Sequence, residues 1–174
     1  MRRAPLSPAE IVLLLRASTE AVVVEVRALG PRSTIRPARD EWCANEVVGH
    51  LIEADRRGFG GRIRTILELD RPILASWDRP GVAKARRDHE RDPEELLAEL
   101  VGARETEFDF VAGLDDAALA RTGAHPKVGE LSVRDLLHEW VHHDREHLAQ
   151  IQAVTQGLVR PHMGNARKFS EPNG

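Results

Sequence analysis

A chain of 174 residues, 41% hydrophobic and 30% charged, is long enough to bury a sizeable core in one domain and carries too much charge for a membrane protein. Its 25 Lys plus Arg against 28 Asp plus Glu leave a net charge of -3, which provides no global field for nucleic acid. The single cysteine, Cys43, excludes an internal disulfide framework and suits a reducing compartment.

Ser7-Pro8-Ala9-Glu10 is a capping box with proline at the first helical position, and it opens an amphipathic helix predicted to run to about Leu29. Its apolar run Ile11 to Leu15 ends at Arg16, too short for a signal segment or a membrane span, so the cytoplasm is the expected location, with no membrane partner. Gly30-Pro31 stops this helix. A turn-rich stretch follows to Asp40, and Cys43 to about Leu69 reads as the second helix, with Glu46 as the N3 partner of its cap and the run Gly58, Gly60, Gly61 weakening its second half. Asp92-Pro93-Glu94-Glu95 starts the third, whose stripe Leu97, Leu100, Val101, Phe108 and Val111 is the expected buried face, ending near Gly113. The fourth begins after Ser132, with Gly157 as the expected stop. No strand alternation or internal repeat is evident. The expected fold is an all-α four-helix bundle over residues 1–159, followed by a loosely held tail at 160–174. Two long connections, Asp70 to Arg91 and Leu114 to Leu131, are functional, mobile or conceal a short helix. The basic run Lys84-Ala85-Arg86-Arg87 in the first of them reads as a solvated face.

Bundles build metal and cofactor sites between facing helices, which directs attention to the histidines. His143 and His147, four apart on one helix, can share one metal ion. At 100° per residue they fall with Leu136, Trp140, Gln150, Ile151 and Val154 on one stripe, while His138 and His142 fall opposite and read as solvated. A third ligand must come from another helix, and His50 on the second helix, facing inward with Val47 and Ala54, is the candidate. Three imidazoles buried together without a shared partner would leave polar nitrogens unpaired at about 1–3 kcal/mol each. A divalent ion bound by His50, His143 and His147 is therefore the preferred reading over core histidines. Three imidazoles accept Zn, Ni, Cu or Fe, so the metal stays open.

Other sites fail on spacing. The zinc-protease helix needs His-Glu-x-x-His, and the second position is Asp144, with Gln150 and Ala153 where the longer motif requires Gly and a third His. A di-iron bundle needs two inward Glu-x-x-His pairs, and only Glu139 to His142 has that spacing, on the outward face. Cys43 sits about 10 Å along the helix from His50 and reads as a small residue at a helix start. His89, His125 and His162 have weak claims to metal.

Trp42-Cys43-Ala44-Asn45-Glu46-Val47-Val48-Gly49-His50-Leu51, then His125 to Leu137, then His143-Asp144-Arg145-Glu146-His147-Leu148-Ala149-Gln150-Ile151 resemble the DinB superfamily of damage-inducible, YfiT-like four-helix bundles over roughly residues 7 to 157. The resemblance implies a three-histidine site for a divalent metal, often zinc or nickel, with open positions for water or substrate, and a homodimer. Two positions depart from the family pattern: Cys43 stands where Ser is frequent, and Leu148 where an Arg often follows the last histidine. The resemblance also implies chemistry with low-molecular-weight thiols such as bacillithiol or mycothiol, since characterised relatives include thiol-dependent transferases and isomerases. The leading expectation is thus a metal-dependent thiol transferase acting on a small-molecule substrate. The alternatives are a stress-associated metal-binding or dimerisation module without turnover, whose metal site a fourth protein ligand would close, and a metal-dependent hydrolase.

Overall fold

The computed structural model describes residues 4–170. The expected tail falls partly outside this range, at residues 171–174, and its described part forms largely exposed 3₁₀ turns at Arg160–His162 and Gly164–Ser170.

Four long members form an all-α bundle. Helix α1 (Pro8–Leu29) starts in the Ser7/Glu10 capping box and ends where Gly30 takes φ 53°, a conformation that favours glycine. Helix α2 (Ala44–Glu53), a π-helical turn (Ala54–Phe59) and helix α3 (Gly60–Glu68) form the second member. A Cβ at Gly61 would run into the Arg56 carbonyl oxygen, so the glycine run is what allows a π turn inside this rod. Helix α4 (Arg79–Arg86) lies in the first long connection. Helix α5 (Pro93–Ala112) is the third member, capped by the Asp92 carboxylate accepting from the Glu94 and Glu95 amides. The second long connection contains α6 (Asp116–Ala120) and a hairpin of β1 (Thr122–His125) and β2 (Gly129–Ser132). Helix α7 (Val133–Val159), opened by the Ser132/Asp135 capping box, completes the bundle. Helix α1 packs on α5 and α7, and α2 packs on the same two, so the ring order is α1, α5, α2, α7 and the second and fourth members are neighbours, as the histidines required.

Several expectations need correction. The hairpin was not foreseen; it pairs Thr122 with Ser132 and His125 with Gly129, and it docks on the chain after α3 through Leu74 N–H to Ala124 O at 2.8 Å. Its strands are only four residues long, too short to show alternation. Helix α7 runs through Gly157, which has open space around it; a helix tolerates one exposed glycine at about 1 kcal/mol. Val101 is 39% exposed at the edge of the α5 stripe, while the interior position is taken by Arg104 at 1%. Arg86 is not solvated: it pairs with Glu53, Asp88 and Glu99 and fastens α4 to α2 and α5. Gly49 makes room for the Asp88 carboxylate at that junction.

The interior is layered. One apolar cluster contains Ile11, Leu15, Phe59, Phe108 and Trp140, and a second contains Val22, Val26, Leu51, Leu97, Leu100 and Ile151. Between them lies a buried polar group to which every bundle member contributes, Thr19, Asp55 and Asp144 gathered around Arg104.

Candidate metal centre

His50, near the end of α2, and His143 and His147, one turn apart on α7, converge. One ring nitrogen from each lies within 4.8 Å of the others, near enough for all three to reach one ion when the rings draw in to metal–nitrogen bonds of about 2.0–2.1 Å. His50 Nε2 and His143 Nε2 are 3.1 Å apart. Burial first, then the nearby His147 and Arg79, pushes His50 down to about 4; burial, His147 and His50 push His143 down to about 3. Both are therefore neutral at physiological pH, with lone pairs available to a cation. His147 Nδ1 donates to Gln150 Oε1 at 2.9 Å, which fixes that tautomer and frees Nε2 for a ligand. The buried His143 Nδ1 has no hydrogen-bond partner among the described residues. These donors fit a borderline divalent ion.

Aromatic rings hold the imidazoles in place. Trp42 lies 5.1 Å from His50 by ring centroids, Trp77 stacks on His50 at 6.0 Å, and Phe59 meets His143 edge-on at 5.2 Å. Beneath this group, Phe59 stacks on Trp140 at 5.3 Å. Phe59 and Trp140 lead to the polar layer. Arg104 donates through Nε to Asp55 at 2.5 Å and through NH1 and NH2 to Asp144 at 2.7 and 2.8 Å, and Trp140 Nε1 donates to Asp55 at 2.7 Å. Burial pushes Asp55 up against the pull of Arg104, with the Asp144 charge adding to the rise, while the two carboxylates hold Arg104 charged despite its burial. This trio ties the π turn, α5 and α7 together directly behind His143.

Asp144 points into the bundle, 2% exposed and bonded to Arg104. Position 144 lies one turn from both Trp140 and Leu148, which are buried, and that spacing was the available signal. Leu148 itself is core, so no cation occupies that position. His138 accepts from the Leu6 amide at 3.0 Å, pinning the chain entering α1, whereas His142 is exposed beside Glu146. His125 ends β1 and stands 3.3 Å from an Arg62 nitrogen, and His89 faces Glu46 and Glu90. Among the described residues no fourth His, Cys, Asp or Glu joins the three-histidine group. Cys43 caps α2, buried, and burial pushes its thiol up to about 12, so it is no nucleophile at neutral pH.

Two clefts meet at the histidines. An inner cavity of about 400 Å³ has His50 and His143 in its wall together with Phe59, Trp77, Arg62 and Arg79. An outer groove of about 690 Å³ touches all three histidines and runs past Trp42, Lys84 and Glu146. Sequence reasoning missed Arg62 and Arg79, since neither belongs to a motif; only tertiary placement joins them to the cavity.

A DinB superfamily profile matches residues 14–151, most of the chain and all three histidines. The chain belongs to the DinB superfamily. This DinB chain is 26% identical over 136 residues to the uncharacterised protein YuaE of Bacillus subtilis strain 168, covering 72% of the chain and 84% of YuaE. It also superposes on YfiT from Bacillus subtilis with a TM-score of 0.79 at 18% identity, over 91% of this chain and 93% of that one. YfiT is described as a probable metal-dependent hydrolase with an unusual four-helix bundle topology; at that identity the likeness establishes the fold of this DinB member. No described helix is long and apolar enough to cross a membrane.

Proposed function

We propose that the protein is a metal-dependent transferase in which His50, His143 and His147 hold one divalent ion, zinc or nickel, and a low-molecular-weight thiol is joined to a small electrophile. The observation that carries this reading is a three-imidazole group closed by no fourth side chain among the described residues and reached from two clefts. A structural site is normally four-coordinate through the protein, whereas a catalytic one keeps a position open, which disfavours a metal-bracing module without turnover. The bound ion would supply a lowered pKa for a coordinated thiol. The chain's own part is positional. Gln150 orients His147 through its Nδ1–H, and Trp42, Trp77 and Phe59 pack against the imidazoles and limit water. Two reactants have separate routes to the centre, the electrophile through the inner cavity and the thiol through the outer groove, so both arrive oriented.

Hydrolysis is the second reading. Glu139, exposed and one turn before His143, lines both clefts and is available as a base toward water, and the YfiT description points the same way. Zinc- or nickel-loaded protein assayed with bacillithiol or mycothiol and 1-chloro-2,4-dinitrobenzene, in parallel with p-nitrophenyl esters, separates the two. Saturable, thiol-dependent conjugation lost in His50→Ala is the expected result. Ester turnover without conjugation would replace transfer by hydrolysis, and neither activity would leave a non-catalytic module.

A further inference from the structure

We propose that Arg62 and Arg79 form a carboxylate-binding subsite in the inner cavity, so that the molecule bound there is a small organic acid with an apolar body. Its role as the electrophilic substrate rests on the transferase reading above; the subsite itself needs no metal.

Most guanidinium groups of the bundle sit against carboxylates: Arg27 on Glu94, Arg64 on Glu107, Arg91 on Asp88 and Glu99, Arg104 on Asp55 and Asp144. The two in the cavity wall do not. Arg62, in the first turn of α3, donates through NH2 to the Ala75 carbonyl at 3.2 Å and lies against His125, and its buried Nε has no hydrogen-bond partner among the described residues. Neither contact neutralises its charge. Arg79, the first residue of α4, has its guanidinium 5.8 Å from the centre of the Trp77 ring and makes no ion pair among the described residues. The two cations repel: burial and then Arg79 lower the Arg62 pKa, and burial, Arg62, Lys127 and Arg79 lower that of His125.

The cavity's carboxylates do not cancel this charge locally. Asp135 accepts from the Ser132 amide and hydroxyl at 2.9 and 2.7 Å as the partner in the α7 cap. Glu139 lies on the His143 side and is not within ion-pair distance of either arginine. Positive charge on half-buried Arg62 and exposed Arg79, held at the cavity wall with no counter-ion among the described residues, favours an anion, and the planar guanidinium suits a carboxylate. Between this charge and the histidines the wall is apolar, formed by Trp77, Phe59, Leu131 and Leu136. An acid bound at Arg62 and Arg79 would lay its body on Trp77 and extend toward His50 and His143.

Side-chain NMR of metal-free protein labelled with [15N]arginine, titrated with 3-phenylpropionate and with 3-phenylpropionamide, tests this. The acid is expected to shift the Arg62 and Arg79 resonances saturably, the amide not, and the acid to bind about tenfold or more weakly to Arg62→Gln and Arg79→Gln, the loss of one charge-assisted contact. Arg79 is exposed and unpaired, so Arg79→Gln decides the matter if Arg62→Gln does not fold. Equal binding of acid and amide would overturn the subsite, as would acid binding unaffected by Arg79→Gln, or tighter displacement by inorganic phosphate than by the acid. Acid binding that appears only with zinc and vanishes in His50→Ala would make the carboxylate a metal ligand and likewise overturn it. Arginine-dependent acid binding in a chain that takes up no metal would sustain the subsite while removing the transferase reading.

Discussion

Arg104 is the residue on which the bundle's interior depends most: a full positive charge, 1% exposed, between two carboxylates 1% and 2% exposed. Removing it leaves two buried carboxylates facing each other. Arg104→Met is expected to destabilise the protein by about 3–5 kcal/mol, the range for breaking a buried pair by losing one partner, measured by urea unfolding. Arg56→Ala, at an ion pair whose arginine is half exposed, should cost less than about 1 kcal/mol. If the two variants proved equally stable, Arg104 would not hold the members together. The histidines set a pH dependence for the metal-free protein. His50 and His143 have folded pKa values of about 4 and 3 against an ordinary value of 6.5, so between these limits the unfolded chain binds more protons and stability falls with acidification. The contribution is complete above about pH 6.5 and is lost progressively as pH drops toward 4 and then 3. Thermal melts of the apo protein should show this contribution as a difference, the decline from pH 7 to 4.5 being shallower in His143→Leu than in the wild type; identical pH slopes in the two would contradict a buried neutral His143. The pairing of His143 with His147 was legible because four-residue spacing on a helix is a geometric constraint visible in sequence, and the bundle class then placed His50 opposite them. The Arg104 trio was not, because a charged residue within an apolar stripe reads as a break in it until its partners on other helices are known.

At the scale of the elements, the π turn decides how the second member meets the site. It turns Asp55 toward Arg104 and Trp140 and places Phe59 beneath His143. A methyl group at Gly61 collides with backbone rather than with a movable side-chain end, so Gly61→Ala is expected to cost about 1–3 kcal/mol, in the range of overpacking, read from the denaturant midpoint. Wild-type stability in that variant would mean that the turn relaxes to an ordinary α-helix without penalty. Capping explains why the starts of all four bundle members could be read directly from the chain, Glu46 accepting from the Cys43 amide at the second. Ser7, Asp92 and Ser132 all accept from first-turn amides as expected. The π turn could be seen only as an oddity in glycine content, since no propensity distinguishes it from a weak helix. The hairpin was hidden because its stabilisation comes from docking beside Leu74 rather than from its own short strands.

Across the whole molecule, the ring order α1, α5, α2, α7 brings together histidines separated by most of the chain, and the two long connections supply the cavity wall that the four main members lack. Helix α4, fastened by Arg86, carries Arg79, and the hairpin carries His125. The bundle class and the adjacency of its second and fourth members followed from periodicity and from the need for a third ligand. Arg62 and Arg79 as cavity residues did not, because they come from different elements that only the folded connections bring together. Together these elements would assemble one divalent-metal site. Elemental analysis of untagged protein, as purified and after metal add-back to the apo form, tests it most directly alongside His50→Ala and His147→Ala. One equivalent of divalent metal per chain, lost in both variants while their fold persists, is the expected result. A folded wild-type chain that takes up no divalent metal on add-back would contradict it.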